Sequence, residues 1–125
     1  MMGSVKDQPR QLEHLRVSYL AALDQFDRCA QEMRAALDEA SDASDAVRAH
    51  VEAGRPARDV TRRIAPDQLR TRLSAAAVEL ERARHRGQTL WFAMLVEEGL
   101  TKAEVGRAFG ISRSLVSRML NELRA

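Results

Sequence analysis

Apolar residues recur at helical spacing along the first half of the chain. One series of positions, seven residues apart, runs Leu12, Tyr19, Phe26, Met33, Ala40 and Val47. A second series, offset by four residues, runs Arg16, Leu23, Ala30, Leu37, Ser44 and Val51. Such spacing, sustained over about six heptads, is typical of a coiled coil. The pattern predicts one long helix that begins near Pro9 and stops at Gly54 and Pro56.

Two partners are possible for this helical seam. It packs either against the chain's own second helix or against a second copy of the protein. The predicted first helix is longer than a hairpin partner that starts at Pro66, which favours a homodimer. The acidic stretch 38–45 offers little apolar area and is the place where a bend would occur, but we expect the helix to be unbroken. The predicted dimer seam consists of Leu12, Tyr19, Leu23, Phe26, Met33 and Leu37.

A second helical pattern begins at Pro66, a residue suited to a first helical position. Its apolar positions again follow spacings of three and four: Leu69, Leu73, Ala76, Leu80 and Ala83. Beyond Gly87 the polar face disappears, and a helix that is apolar nearly all round requires burial on several sides. Either a new helix begins near Gln88, or the second helix continues into a compact terminal unit. The predicted fold class is all-α, with a long coiled-coil or helical-hairpin region over residues 9–86.

The segment after Gly99 carries the most specific local signals. Thr101 and Glu104 have the spacing of a capping box, which opens a short helix. The expected inner face of that helix is Val105, Ala108 and Phe109, and Gly106 allows another backbone to approach. Gly110 suits a left-handed turn residue, and Ile111 is expected to plug that turn. Ser112 is a good N-cap for a second helix whose buried residues are Leu115, Val116, Met119, Leu120 and Leu123.

The segment LTKAEVGRAFGISRSLVSRML resembles the bacterial helix-turn-helix. It is similar to the DNA-binding segments of SorC/DeoR-type regulators, sigma-factor C-terminal domains and site-specific resolvases. The resemblance covers about residues 89–123 and departs at Gly106, where such motifs more often carry Ala. The N-terminal two-thirds of the chain resembles no family. Residues 87–125 are therefore expected to form a helix-turn-helix DNA-binding domain.

The predicted second helix, at 113–123, has an outer face suited to the DNA major groove. A helix fits that groove, and its first residues reach the base edges. Residues expected to contact bases are Arg113, Ser114, Ser117, Arg118 and Asn121. Residues at helix starts expected to contact phosphates are Thr101, Lys102 and Ser112. The alternative is a plain packing unit whose arginines are merely solvated.

Charge is distributed unevenly along the chain. The net charge is only +2, but residues 1–53 carry −4, residues 54–88 carry +5 and residues 89–125 carry +1. A basic connector over 54–65 holds four arginines: Arg55, Arg58, Arg62 and Arg63. This connector is either an arm that tracks DNA phosphates or an exposed loop, and arginine richness through codon bias supports the second interpretation. Further arginines of the second helix are expected to pair mostly with acidic residues of the first.

No pattern in the sequence indicates an enzyme. The single Cys29 allows no internal disulfide, and the three histidines lack zinc-ligand spacing. We therefore expect no metal, no cofactor and no catalytic residues. No apolar run has membrane-spanning length, so a cytoplasmic location at the nucleoid, without membrane contact, is expected.

These patterns predict a dimeric, sequence-specific protein that binds double-stranded DNA, most simply a transcriptional regulator. Two alternatives stay open. One is an architectural, nucleoid-associated protein of low sequence specificity. The other is an adaptor whose coiled coil docks on another protein, such as polymerase or a partition or phage factor.

Overall fold

The protein is built from five α-helices, as seen in a computed structural model that describes residues 8–124, with side chains from Pro9 onward. The helices are α1 (Gln8–Glu52), α2 (Ala57–Ile64), α3 (Pro66–Glu97), α4 (Lys102–Phe109) and α5 (Arg113–Glu122). The described residues contain no strand, and the all-α class is confirmed. Residue 125, the last of the predicted DNA-binding domain, lies outside this range. Within it, no helix has the length and hydropathy needed to cross a membrane.

Two long helices form as the sequence predicts. Helix α1 is unbroken through the acidic stretch 38–45. Helix α3 begins at Pro66 and continues without interruption past Gly87, so the second of the two alternatives for that region is correct. The helices contribute to two compact units. Unit 1 contains α1 as far as Phe26 together with the chain from Ala83 onward, and unit 2 consists of residues 27–82.

Unit 2 is a helical hairpin whose turn contains an extra helix. Helix α1 ends at Glu52 and is followed by Gly54, which has a φ of 70°. The N–H of Arg55 then donates to the carbonyl of His50 at 3.2 Å. The buried ring of His50 donates from Nε2 to the Pro56 carbonyl at 2.8 Å, which fixes the chain as it leaves α1. After α2 the chain enters α3, where Nε of Arg72 lies 2.8 Å from Oε2 of Glu39. This ion pair, whose N–H is not aligned as a hydrogen bond, joins α3 to α1.

The basic connector is not a loop throughout, as one interpretation of the sequence held. Residues 57–64 form α2, which follows the extended Pro56 and has Asp59 in its first turn. Val60 is buried and Ile64 is half-buried, so one face of this helix packs against the rest of unit 2. The spacing of Val60 and Ile64 between two prolines was the available signal. The surrounding arginines made the segment look like a polar connector.

The most buried positions of α1 differ from the predicted seam. They form another series with heptad spacing, Ala22, Cys29, Ala36 and His50, each less than a tenth exposed. Among the predicted seam residues, Leu12, Tyr19, Phe26 and Met33 are half-buried. Leu23 and Leu37 are 39% and 50% exposed. Three of these four side chains are small, which lets neighbouring helices approach closely.

Unit 1 contains the larger apolar core. Phe92, Val105, Val116 and Met119 are almost fully buried, and they come from α3, α4 and α5. Six partly buried residues pack around them: Leu95, Val96, Leu100, Ile111, Leu115 and Leu120. On α1, Tyr19 contacts Trp91 of α3 with ring centroids 5.2 Å apart. This core holds the two short C-terminal helices in place.

Candidate nucleic-acid interface

A complete capping box begins α4. The N–H of Glu104 donates to Oγ1 of Thr101 at 3.1 Å, and the N–H of Thr101 donates to Oε1 of Glu104 at 3.0 Å. Hydrogen bonding from the backbone of Thr101, then from its side chain, lowers the pKa of Glu104 below its ordinary 4.5, and Arg107 acts in the same direction. Both predicted partners of this cap are confirmed. The box fixes the first residue of α4, and hence the angle at which the helix leaves α3.

The turn between α4 and α5 depends on two glycines. Gly110 has a φ of 68°, in the left-handed region that glycine adopts without strain. Gly106 is buried, and the N–H of Ile111 donates to its carbonyl at 2.9 Å. A Cβ at Gly106 would lie only 2.7 Å from the Ile111 carbonyl oxygen. The turn therefore folds back directly onto α4, as the close approach predicted for Gly106 requires.

Helix α5 has two well-separated faces. Its N-cap is Ser112, whose Oγ accepts from the N–H of Leu115 at 3.1 Å. Val116 and Met119 are buried against α3 and α4, with Leu115, Leu120 and Leu123 half-buried beside them. The helix ends at Glu122, one residue earlier than predicted, and Leu123 is its C-cap.

The predicted base-contacting residues share the outer face of α5. Arg113, Ser114, Arg118 and Asn121 are exposed and Ser117 is half-buried. At about 100° per residue, all five fall within an arc of roughly 140°, opposite the buried residues. The face carries two guanidinium groups, two hydroxyls and one carboxamide, and it carries no acid. It offers hydrogen-bond donors at every position.

The predicted phosphate-contacting residues lie at the starts of α4 and α5. Thr101 and Ser112 are exposed, and Lys102 is half-buried. Both hydroxyl oxygens accept a capping hydrogen bond, which leaves each O–H available to donate to another group. The capping role and a phosphate contact are therefore compatible at Thr101 and Ser112.

The inner face of α4 differs from the prediction. Val105 is fully buried, but Ala108 is exposed and Phe109 is 41% exposed. Phe109 lies at the last position of α4 and meets Phe92 edge-on, with ring centroids 4.8 Å apart. The second inner position belongs to Gly106, because the returning backbone occupies the space beside it.

One contact that orients α5 has no signal in the local sequence. The Nε2–H of His85 on α3 donates to Oε2 of Glu122, at the end of α5, across 2.7 Å. The residues are far apart along the chain, so only the tertiary structure reveals the pair. Arg107 also lies exposed in the last turn of α4 and adds positive charge beside the turn.

The arginines of the predicted basic connector lie in unit 2. Arg55, Arg58, Arg62 and Arg63 are all exposed. Among the described residues, none of the four has an acidic group within ion-pair distance. Of the arginines expected to pair with α1, Arg72 does so, whereas Arg82 pairs within α3, with Glu79 at 2.9 Å.

Comparisons with family models, with curated proteins and with solved structures gave no match. In residues 8–124, no three His, Cys, Asp or Glu side chains are grouped so that they could hold a metal ion. The functional conclusion therefore depends on the site geometry.

Proposed function

We propose that this protein is a dimeric, sequence-specific binder of double-stranded DNA, most simply a transcriptional regulator located at the nucleoid. The observation that supports it is the outer face of α5, where Arg113, Ser114, Ser117, Arg118 and Asn121 project opposite the buried residues. The capping box, the glycine turn and the second N-cap agree with a helix-turn-helix, in which the second helix reads DNA.

The dimensions and chemistry of α5 suit the major groove. Its ten residues span about 15 Å, and a groove about 12 Å wide admits one helix. Arg113 and Arg118 are able to donate two hydrogen bonds each to guanine, and Asn121 to pair with adenine. The short side chains of Ser114 and Ser117 let the helix backbone lie close to the base edges. Thr101, Lys102 and Ser112 would contact the flanking phosphates.

A dimer is part of this proposal because one short recognition helix makes few contacts. Twofold symmetry doubles those contacts and sets the spacing of two half-sites. Leu23 and Leu37 of the predicted seam are 39% and 50% exposed, so they retain apolar surface for a second copy. Coverage of this surface by a different protein would instead support the adaptor alternative.

The test uses a duplex that the full chain selects from a random-sequence library. Binding of the full chain is measured to this selected duplex and to a scrambled control. We expect Arg113→Ala with Arg118→Ala to weaken binding to the selected duplex by about 1–3 kcal/mol per arginine, with a smaller effect on the scrambled one. The matched control is Arg10→Ala with Arg86→Ala, which removes the same charge from exposed positions of unit 1. Equal loss in both double variants would contradict base reading by α5.

A further inference from the structure

A cluster of unpaired arginines surrounds α2 and is not used by the recognition helix. Three lie on the helix and one just before it: Arg58, Arg62, Arg63 and Arg55. All are exposed, and in the described part of the chain none has an acidic partner. By contrast, Arg16, Arg72 and Arg82 each have a glutamate within ion-pair distance. The cluster is therefore a concentration of positive charge that the fold does not neutralise.

The stability of α2 explains only part of this cluster. Arg62 and Arg63 are in the last turn, where they interact favourably with the helix dipole. Arg58 is in the first turn, at the positive end of that dipole. It also lies one turn from Arg62 on the same flank, and like charges at that spacing cost about 0.2–0.5 kcal/mol. A bound polyanion would reverse both unfavourable interactions.

The orientation of α2 determines what kind of polyanion can bind. Val60 is only 5% exposed and Ile64 is half-buried, so the apolar face packs against the protein. No apolar face is left to insert into a lipid surface, which a membrane-binding amphipathic helix requires. The exposed side of α2 carries three guanidinium groups against one carboxylate, that of Asp59. Guanidinium groups form paired hydrogen bonds with phosphate oxygens.

We propose that α2 and Arg55 form a second DNA-binding surface, which holds the phosphate backbone of double-stranded DNA without reading its sequence. This surface lies within unit 2, whereas α4 and α5 lie within unit 1. It does not depend on base reading by α5. It supplies the sequence-independent, salt-sensitive part of the binding free energy, which lets a protein hold non-specific DNA.

In the experiment, binding of the full chain to a random-sequence duplex is measured by fluorescence anisotropy at a series of salt concentrations. Each phosphate that an arginine neutralises steepens the slope of log K against log salt by about 0.9. We expect Arg58→Gln with Arg62→Gln to make the slope shallower by about 1.8. The control, Arg34→Gln with Arg48→Gln, removes the same charge from exposed positions of α1 in unit 2 and should leave the slope unchanged.

A conservative variant and a folding check separate the possible outcomes. Arg58→Lys with Arg62→Lys should keep the slope, because a lysine also neutralises a phosphate. Thermal melting identifies any variant that fails to fold. The proposal of a second surface is overturned if the folded glutamine variant keeps the wild-type slope, or if the control variant loses as much steepness as the glutamine variant does.

Binding of the Arg113→Ala, Arg118→Ala variant to the selected and to the random duplex tests the recognition helix separately. A shallower slope in the α2 variant, with unchanged discrimination between the two duplexes in the α5 variant, would retain the second surface and reject base reading by α5. Lost specificity with a normal α2 slope would do the reverse. A wild-type chain that binds no duplex at low salt would reject both.

Discussion

The α-carbon of Gly106 faces the carbonyl oxygen of Ile111 so closely that a Cβ would lie 2.7 Å from it. The same Cβ would lie 3.4 Å from the backbone nitrogen of Arg113. Both neighbours are backbone atoms of the turn and of the start of α5, and backbone cannot move aside as a flexible side chain can. The glycine therefore sets how tightly α5 folds onto α4.

The first prediction concerns Gly106→Ala. Alanine gains about 1 kcal/mol of helix propensity over glycine, but overpacking typically costs about 1–3 kcal/mol. Because the clash is with backbone, we expect a net loss of stability of about 1 kcal/mol or more, with displacement of α5 and weaker DNA binding. Chemical denaturation of the full chain, monitored by the fluorescence of Trp91 in unit 1, measures the loss.

Gly87→Ala is the matched control for that substitution. Gly87 is also helical and lies in unit 1, but apart from its chain neighbours and the adjacent backbone of its own helix, nothing lies within 4 Å of its Cβ position. There we expect a gain of up to about 1 kcal/mol, from helix propensity alone. If both variants shift stability in the same direction, the close approach at Gly106 does not govern the turn.

The second prediction concerns the capping box of α4. Thr101→Ala removes the oxygen that accepts from Glu104, and loss of such a cap costs about 1 kcal/mol. The stability of unit 1 should fall by this amount, as measured by denaturation. Ser18→Ala, at a half-buried position within α1, is a control without a capping role. It should change stability less than Thr101→Ala does.

The third prediction is a pH dependence that comes from Glu104. Its folded-state pKa is lowered below 4.5, so its stabilising contribution is present above pH 4.5 and is lost as the pH falls through the lowered pKa. Glu104→Gln keeps an oxygen that accepts from Thr101 but does not titrate. The difference in stability between wild type and this variant should therefore shrink on acidification below pH 4.5. A difference that stays constant from neutral to acidic pH would argue against the charged cap.

The fourth prediction concerns Ala65, which joins α2 to α3 with a φ of 47°. Left-handed backbone costs an alanine about 1–2 kcal/mol, and glycine avoids this cost but loses about 0.5–1 kcal/mol of chain entropy. Ala65→Gly should thus stabilise unit 2 slightly. Ala77→Gly, at an exposed position inside α3, should instead destabilise the protein. If both variants melt at a lower temperature than the wild type, Ala65 is not strained.

The fifth prediction tests the proposed dimer without disturbing the buried core. Leu23→Glu with Leu37→Glu places charges on exposed positions of the predicted seam, and the expected result is a monomer in sedimentation. Val17→Glu with Leu20→Glu is the control, on the same helix at positions 58% and 61% exposed. The control should remain a dimer. Dissociation of the control alone would move the interface away from the predicted seam.

Local signals made the C-terminal third predictable from sequence. A capping box, a left-handed glycine and an N-cap each act within a few residues, and Thr101, Gly110 and Ser112 all have their expected conformations. The start of α3 at Pro66 follows from the same kind of local rule. These positions are decided by hydrogen bonds and backbone angles that neighbouring residues fix.

Tertiary packing explains what sequence patterns missed. Ala22, Ala36 and His50 are buried although small or polar, because burial depends on the distance to the packing partner as well as on side-chain size. Helix α2 is short and rich in arginine, so Val60 and Ile64 were too weak a pattern to predict it. The pairing of His85 with Glu122 depends on how α5 packs against α3.

The most direct test of DNA reading by α5 is selection of bound duplexes from a random library by the full wild-type chain at near-physiological salt. Sequencing should recover a motif, and a dimer should give an inverted repeat whose half-site spacing reports the dimer geometry. The motif should disappear when Arg113→Ala and Arg118→Ala are introduced together. Recovered duplexes without a common sequence, or no enrichment at all, would contradict sequence-specific DNA binding by this protein.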